Sequence, residues 1–174
     1  MSNPVSFSDR QTDYKNGVRY TAGISVKVSA TYVRDGSKAI ITVTATASGW
    51  GHYSQVHIAP SPDGSEPASS AYTVVIAKQD ESYSDATWTG TYTYDDPTAK
   101  TYSFYIKSYV HAIRGYNGQW SDVYILTIDV PTGGAVAWVK AEGQWRKGAY
   151  VYTKVNNVWT KGIAQSKNSD VWKM

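Results

Sequence analysis

The residues able to do catalytic chemistry are few and poorly spaced. His52, His57 and His111 are the three imidazoles. The first two stand five positions apart and the third is distant, so only folding could gather them around a metal. His57 alternates with Val56 and Ile58, which predicts the outer face of a strand and a surface imidazole. The paired acids, Asp80-Glu81 and Asp95-Asp96, fall in turn-like stretches where solvated turn chemistry accounts for them. No Gly-x-Ser-x-Gly elbow surrounds a serine, no glycine-rich phosphate loop precedes a helix, and there is no cysteine to act as nucleophile, thiolate ligand or disulfide partner. These patterns predict no catalytic residue, no metal and no cofactor.

Binding chemistry is better represented. Between Ala135 and Met174 one pattern recurs three times, as Lys140-Ala-Glu-Gly-Gln-Trp145, Lys154-Val-Asn-Asn-Val-Trp159 and Lys167-Asn-Ser-Asp-Val-Trp172. If Glu142-Gly143, Asn156-Asn157 and Ser169-Asp170 are two-residue turns, each copy is a hairpin with a Lys directly opposite a Trp. Trp138, Lys140, Trp145, Tyr152, Lys154, Trp159, Lys167 and Trp172 then share an aromatic and basic face, joined by Lys147 and Lys161. The reverse face holds Val139, Ala141, Val151, Thr153, Val155, Val158 and Thr160, small and β-branched residues suited to a dry contact with another sheet.

The repeat region has seven Lys or Arg against two acids, whereas residues 1–134 have ten against twelve, so the chain's net charge of +3 belongs to its last forty residues. On one reading the lysines shield the indoles from water. On the other, the face grips a glycan, a phosphate-bearing polymer or a partner subunit. The lysines are interleaved with Thr and Val rather than clustered, which argues against a nucleic-acid platform. A second group of large amphipathic residues, Trp50, His52, Tyr53, Arg114 and Tyr116, lies among glycines in the stretches 49–53 and 111–119, a composition suited to recognising sugar or protein.

The elements that must position these groups are strands. Fifteen Tyr and seven Trp against two Phe, with abundant Thr, Ser and Val, favour β structure, and no window has helical periodicity. Ile24–Tyr32 and Ala39–Ala47 alternate with period two around Arg34-Asp-Gly-Ser-Lys38, a hairpin signal. Further strands are predicted at 54–59, 72–77, 86–94, 101–109 and 122–130, separated by turn clusters at 60–67, 78–82 and 95–97. Seven short strands so punctuated predict an all-β sandwich over 21–130, in which the 49–53 and 111–119 loops emerge at one end. Residues 1–20, polar throughout, read as an arm that orders only against a partner. Residues 131–134, Pro-Thr-Gly-Gly, read as a linker, and 135–174 as three hairpins too small to form a core alone. The first residues lack the basic and apolar regions of a signal peptide, and no apolar run reaches membrane-spanning length.

Two resemblances follow. The order and lengths of the strands over about 20–130 resemble a fibronectin type III or related immunoglobulin-like module. Tyr102-Ser-Phe-Tyr-Ile-Lys-Ser-Tyr109, a Gly-rich loop and a last strand starting near Trp120-Ser-Asp are similar to the closing hairpin of such modules. Trp50 falls in a loop rather than on the second strand, and a carbohydrate-binding sandwich stays open. In the repeat region, Val-Asn-Asn-Val-Trp-Thr-Lys-Gly preceded by Tyr-Val-Tyr-Thr-Lys is similar to the Val-Lys-Val-Asn-Gly-Val-Trp-Lys repeats near the ends of bacteriophage tail and other virion proteins. The third copy departs by losing one residue and the aromatic before its Lys. The resemblance implies a non-enzymatic structural or adhesion component of a phage virion, made in the host cytoplasm and partnered by other virion proteins or copies of itself. The alternative is a module binding a glycan or the host surface.

Overall fold

The computed structural model describes residues 2, 4–79, 85–96 and 98–132 with their side chains, and the backbone pairing of six short strands between 137 and 173. The first nine strands are β1 (Val5–Lys15), β2 (Val18–Asp35), β3 (Lys38–Trp50), β4 (Tyr53–Ser61), β5 (Thr73–Gln79), β6 (Ala86–Asp95), β7 (Lys100–His111), β8 (Gln119–Trp120) and β9 (Tyr124–Val130). They build two antiparallel sheets packed as a β-sandwich. The first has the order β1-β2-β3-β6; in the second, β5-β4-β7 is followed by β8 and β9, which share the same flank of β7.

Alternation along the strands decides which residues make the core. Ala22, Ile24, Val26, Val28 and Ala30 of β2 and Ala39, Ile41, Val43, Ala45 and Ala47 of β3 are buried against Tyr102, Phe104, Ile106 and Val110 of β7 and Leu126, Ile128 and Val130 of β9. Small alanines on the first sheet leave room for the rings that cross the interface. Phe7 stacks on Tyr124 at 3.9 Å between centroids, Tyr94 on Tyr102 at 4.5 Å, and Tyr92 leans on Phe104 at 5.1 Å. Such ring pairs each contribute about 0.5–1.5 kcal/mol beyond the area they bury.

All seven predicted sandwich strands are present, the last of them as β9, and the two-residue β8 is an addition that the sequence did not predict. The expectation of an N-terminal arm is corrected. Val5–Lys15 pairs with Val18–Val28 along its whole length as an edge strand. Asn16 and Gly17, with φ of 52° and 76°, form the turn that joins them. An Asn-Gly pair with two positive φ angles is the turn whose twist matches a two-residue hairpin. Phe7 on this strand belongs to the core. At the opposite end of the sandwich, Arg34 gathers backbone carbonyls, donating from Nε to Pro131 at 2.9 Å, from Nη1 to Ser37 at 3.1 Å and to Asp96, and from Nη2 to Thr98 at 2.6 Å. One planar guanidinium thereby ties the β2–β3 turn, the β6–β7 turn and the exit of β9 together.

The repeat region forms β10 (Ala137–Ala141), β11 (Gln144–Gly148), β12 (Val151–Val155), β13 (Val158–Gly162), β14 (Ser166–Asn168) and β15 (Val171–Lys173), paired two by two. The register agrees with the sequence arithmetic in all three. Lys140 is opposite Trp145, Lys154 opposite Trp159 and Lys167 opposite Trp172, with Trp138 opposite Lys147 and Tyr152 opposite Lys161. The turn residues Glu142-Gly143, Asn156-Asn157 and Ser169-Asp170, the linker's Gly133-Gly134, the acids Asp80-Glu81 and the side-chain faces predicted for the repeats lie outside the described residues.

Candidate binding surface

The β3–β4 and β7–β8 connections meet at one end of the sandwich, as the strand order predicted. Between them lies a cleft of about 320 Å³ lined by Tyr20, Thr21, Gly51, His52, Ala112, Ile113 and Arg114. His52 and Arg114 are the two expected binding residues that share it. The β3–β4 connection is shorter than expected, only Gly51-His52, because β3 runs through Trp50 and β4 begins at Tyr53. Gly51 takes φ of +97° and passes against Ala22, which a side chain at that position would strike.

The other three expected residues go elsewhere. Trp50 is not in a loop but ends β3 opposite Gly23, and its indole lies across that glycine. Tyr53 belongs to the outer face of the second sheet, where its hydroxyl accepts a hydrogen bond from Gln55 Nε2. Tyr116 is 44% exposed at the tip of the β7–β8 loop, with Lys15 Nζ from the end of β1 5.9 Å from its ring centroid. The base of that loop is held by Gln11 of β1, which accepts from the Ala112 amide at 3.0 Å and donates to the Asn117 carbonyl at 2.9 Å.

A larger aromatic surface, absent from the sequence expectations, covers the outer face of the second sheet. The strand register sets Gln55 beside Tyr109 and His57 beside Lys107, and places Trp120 on the other flank of Tyr109. Trp120 lies 4.9 Å from the Tyr109 ring and 4.7 Å from the His57 ring. Lys107 Nζ sits 4.0 Å from the centroid of Tyr72 and 4.5 Å from that of Trp120. From Tyr109 the rings continue to His111 at 6.3 Å and then to His52 at 5.6 Å, so this surface runs into the cleft.

His57 departs from the expected surface imidazole: it is on the outer face, but only 8% exposed. Its Nε2 is 3.0 Å from Gln55 Oε1, an oxygen that can only accept, so Nε2 carries the proton. Burial, and secondarily the Lys107 charge, hold its pKa below the ordinary 6.5. The imidazole is therefore a neutral, fixed wall of the surface rather than a free base. A signal for this surface existed in β7, where Tyr105, Lys107, Tyr109 and His111 share one parity and Tyr102, Phe104, Ile106 and Val110 the other. Trp120 comes from a two-residue strand, which no periodicity reveals, and Tyr72 stands at the extended entry to β5, where the sequence places a strand but not its neighbours.

Exposed rings, one ammonium, an amide and imidazoles offer stacking, charge and hydrogen bonding. Among the described residues no three His, Asp or Glu side chains are grouped to hold a metal, and no helix is long and apolar enough to cross a membrane. Comparison with known proteins adds no family: no protein-family model matches the chain, and no curated protein matches it in sequence.

Proposed function

We propose that the chain is a non-enzymatic component of a phage virion, in its tail or another appendage, acting through assembly with other virion proteins or with copies of itself. The observation that carries this reading is the common register of the three terminal hairpins, each setting a Lys opposite a Trp. A motif kept in register through three copies is a unit of assembly, since isolated two-stranded hairpins have too little interior to persist alone. Strand order supports the finer description of the sandwich. With β1 set aside as an added edge, β2-β3-β6 faces β5-β4-β7-β9, the arrangement of a fibronectin type III-like module.

The flanking genes and the particles themselves test this. Tail or capsid genes should lie alongside, and mass spectrometry of purified particles should recover the chain. Metabolic neighbours, or particles without it, would sink the proposal.

A second reading, a module binding glycan or another host-surface molecule, is favoured by the run of rings from Trp120 through Tyr109 and His111 to the cleft at His52 and Arg114. The two readings are compatible, because an appendage protein can be built in through its tail and bind through its sandwich.

A further inference from the structure

Trp120 is 47% exposed, while its neighbours Tyr109 and His57 pack against the ring at steep angles. An indole so held presents a rigid face at little entropic cost, the arrangement that stacks on the C–H face of a pyranose ring. The Lys107 ammonium lies over the indole, between the Tyr72 and Trp120 rings, and among the described residues no carboxylate pairs with it. A cation fixed by two rings and left without a counter-ion attracts an anion from outside.

From this pairing we infer that the outer face of the second sheet, centred on Trp120 and Lys107, is a subsite for an acidic saccharide whose carboxylate is attached to the sugar ring, as in a polyuronate. The 4.5 Å between the ammonium and the indole centroid decides the class. A charge borne on the stacked ring itself falls within reach of Lys107, whereas the phosphate of a polyol-phosphate chain is carried between units, and a neutral sugar leaves the ammonium unmet. Gln55 and His57 line the same surface and hold their hydrogen-bonding groups in a fixed order, from Tyr53 through Gln55 to His57. The inference rests on the host-surface reading and supplies its ligand class and place.

Calorimetric titration of the full chain with an oligogalacturonate, a neutral galactan oligosaccharide and a polyglycerol phosphate tests it. The uronate should bind at least about tenfold tighter than the neutral sugar, and added salt should weaken it. Lys107→Gln should reduce the uronate to the affinity of the neutral sugar. Trp120→Ala should abolish both, and Trp120→Phe, which keeps a ring without disturbing the sheet, should retain part. Equal affinity for charged and neutral sugars, binding of the phosphate polymer alone, no binding of the uronate, or indifference to Lys107→Gln and Trp120→Phe would each overturn the inference. Sugar binding that survives Trp120→Ala but is lost with Arg114→Ala would keep the host-surface reading and move the site to the cleft.

Discussion

The side chain of Gln11 accepts a hydrogen bond from the backbone amide of Ala112 at 3.0 Å, joining the edge strand of one sheet to the exit of β7 in the other. The same side chain donates to the Asn117 carbonyl at 2.9 Å, so one residue fixes both ends of the loop that carries Arg114 and Tyr116. Gln11 is buried.

Gln11→Ala should therefore cost about 1–3 kcal/mol, the penalty of a buried amide left unpaired. Gln11→Glu keeps an acceptor for Ala112 but sets a buried carboxylate oxygen against the Asn117 carbonyl, so it should cost at least as much as the alanine. Urea unfolding of the three proteins measures this. A loss under about 0.5 kcal/mol for the alanine would show that the amide finds another partner.

This clamp shows what the sequence hid. Residues 1–20 look polar because β1 lies at an edge and faces solvent on alternate positions; its inward residues are Phe7 and Gln11, one of them polar. The Asn16-Gly17 pair was the legible sign of a hairpin there. By contrast, β2 and β3 read directly, because both have apolar residues at every second position. The loop end was legible to the extent that strand order brings two connections together. That Trp50 turns onto Gly23 and Tyr53 onto Gln55 depends on contacts between strands, which alternation alone does not specify. The place of Trp120 on the aromatic surface was hidden for the same reason: its partners His57 and Tyr109 come from two other strands.

Gly23 is glycine because Trp50 occupies the space of a side chain. A Cβ there would stand 2.1 Å from the indole Cζ2 and 2.4 Å from Cη2. Gly23→Ala should destabilise by about 1–3 kcal/mol through forced displacement of the ring. In a Trp50→Ala background the same change should cost far less, since the two effects share one contact. Thermal unfolding of the single and double variants reads the coupling, and additive losses would contradict it.

His57 gives stability a slope with pH. Its pKa in the folded chain lies below 6.5, so between the two values the unfolded chain binds more protons. Its contribution is complete above 6.5 and is lost as pH falls toward the folded value. The melting temperature should drop between about pH 7.5 and pH 5.5. His57→Gln should flatten that drop, and Lys107→Met, which removes the secondary cause, should reduce it. A wild-type slope unchanged in His57→Gln would place the titration elsewhere.

The hairpins allow the repeat to be tested pair by pair. Lys154 is opposite Trp159 in the β12–β13 register, whereas Trp145 belongs to a different hairpin and is opposite Lys140. Directly opposed residues in an antiparallel pair couple by about 0.2–1 kcal/mol, and a cation with an indole falls at about 0.5–1 kcal/mol when exposed. A double-mutant cycle of Lys154→Ala with Trp159→Ala should return a coupling of that size, while Lys154→Ala with Trp145→Ala should be additive. Trp159→Ala alone should cost more than Lys154→Ala, because the indole contributes the larger apolar area. Near-ultraviolet circular dichroism during unfolding follows the tryptophans. Equal couplings for the opposed and non-opposed pairs would mean that the thirteen- and fourteen-residue spacing of the motif sets the backbone register without the Lys and Trp contributing to it.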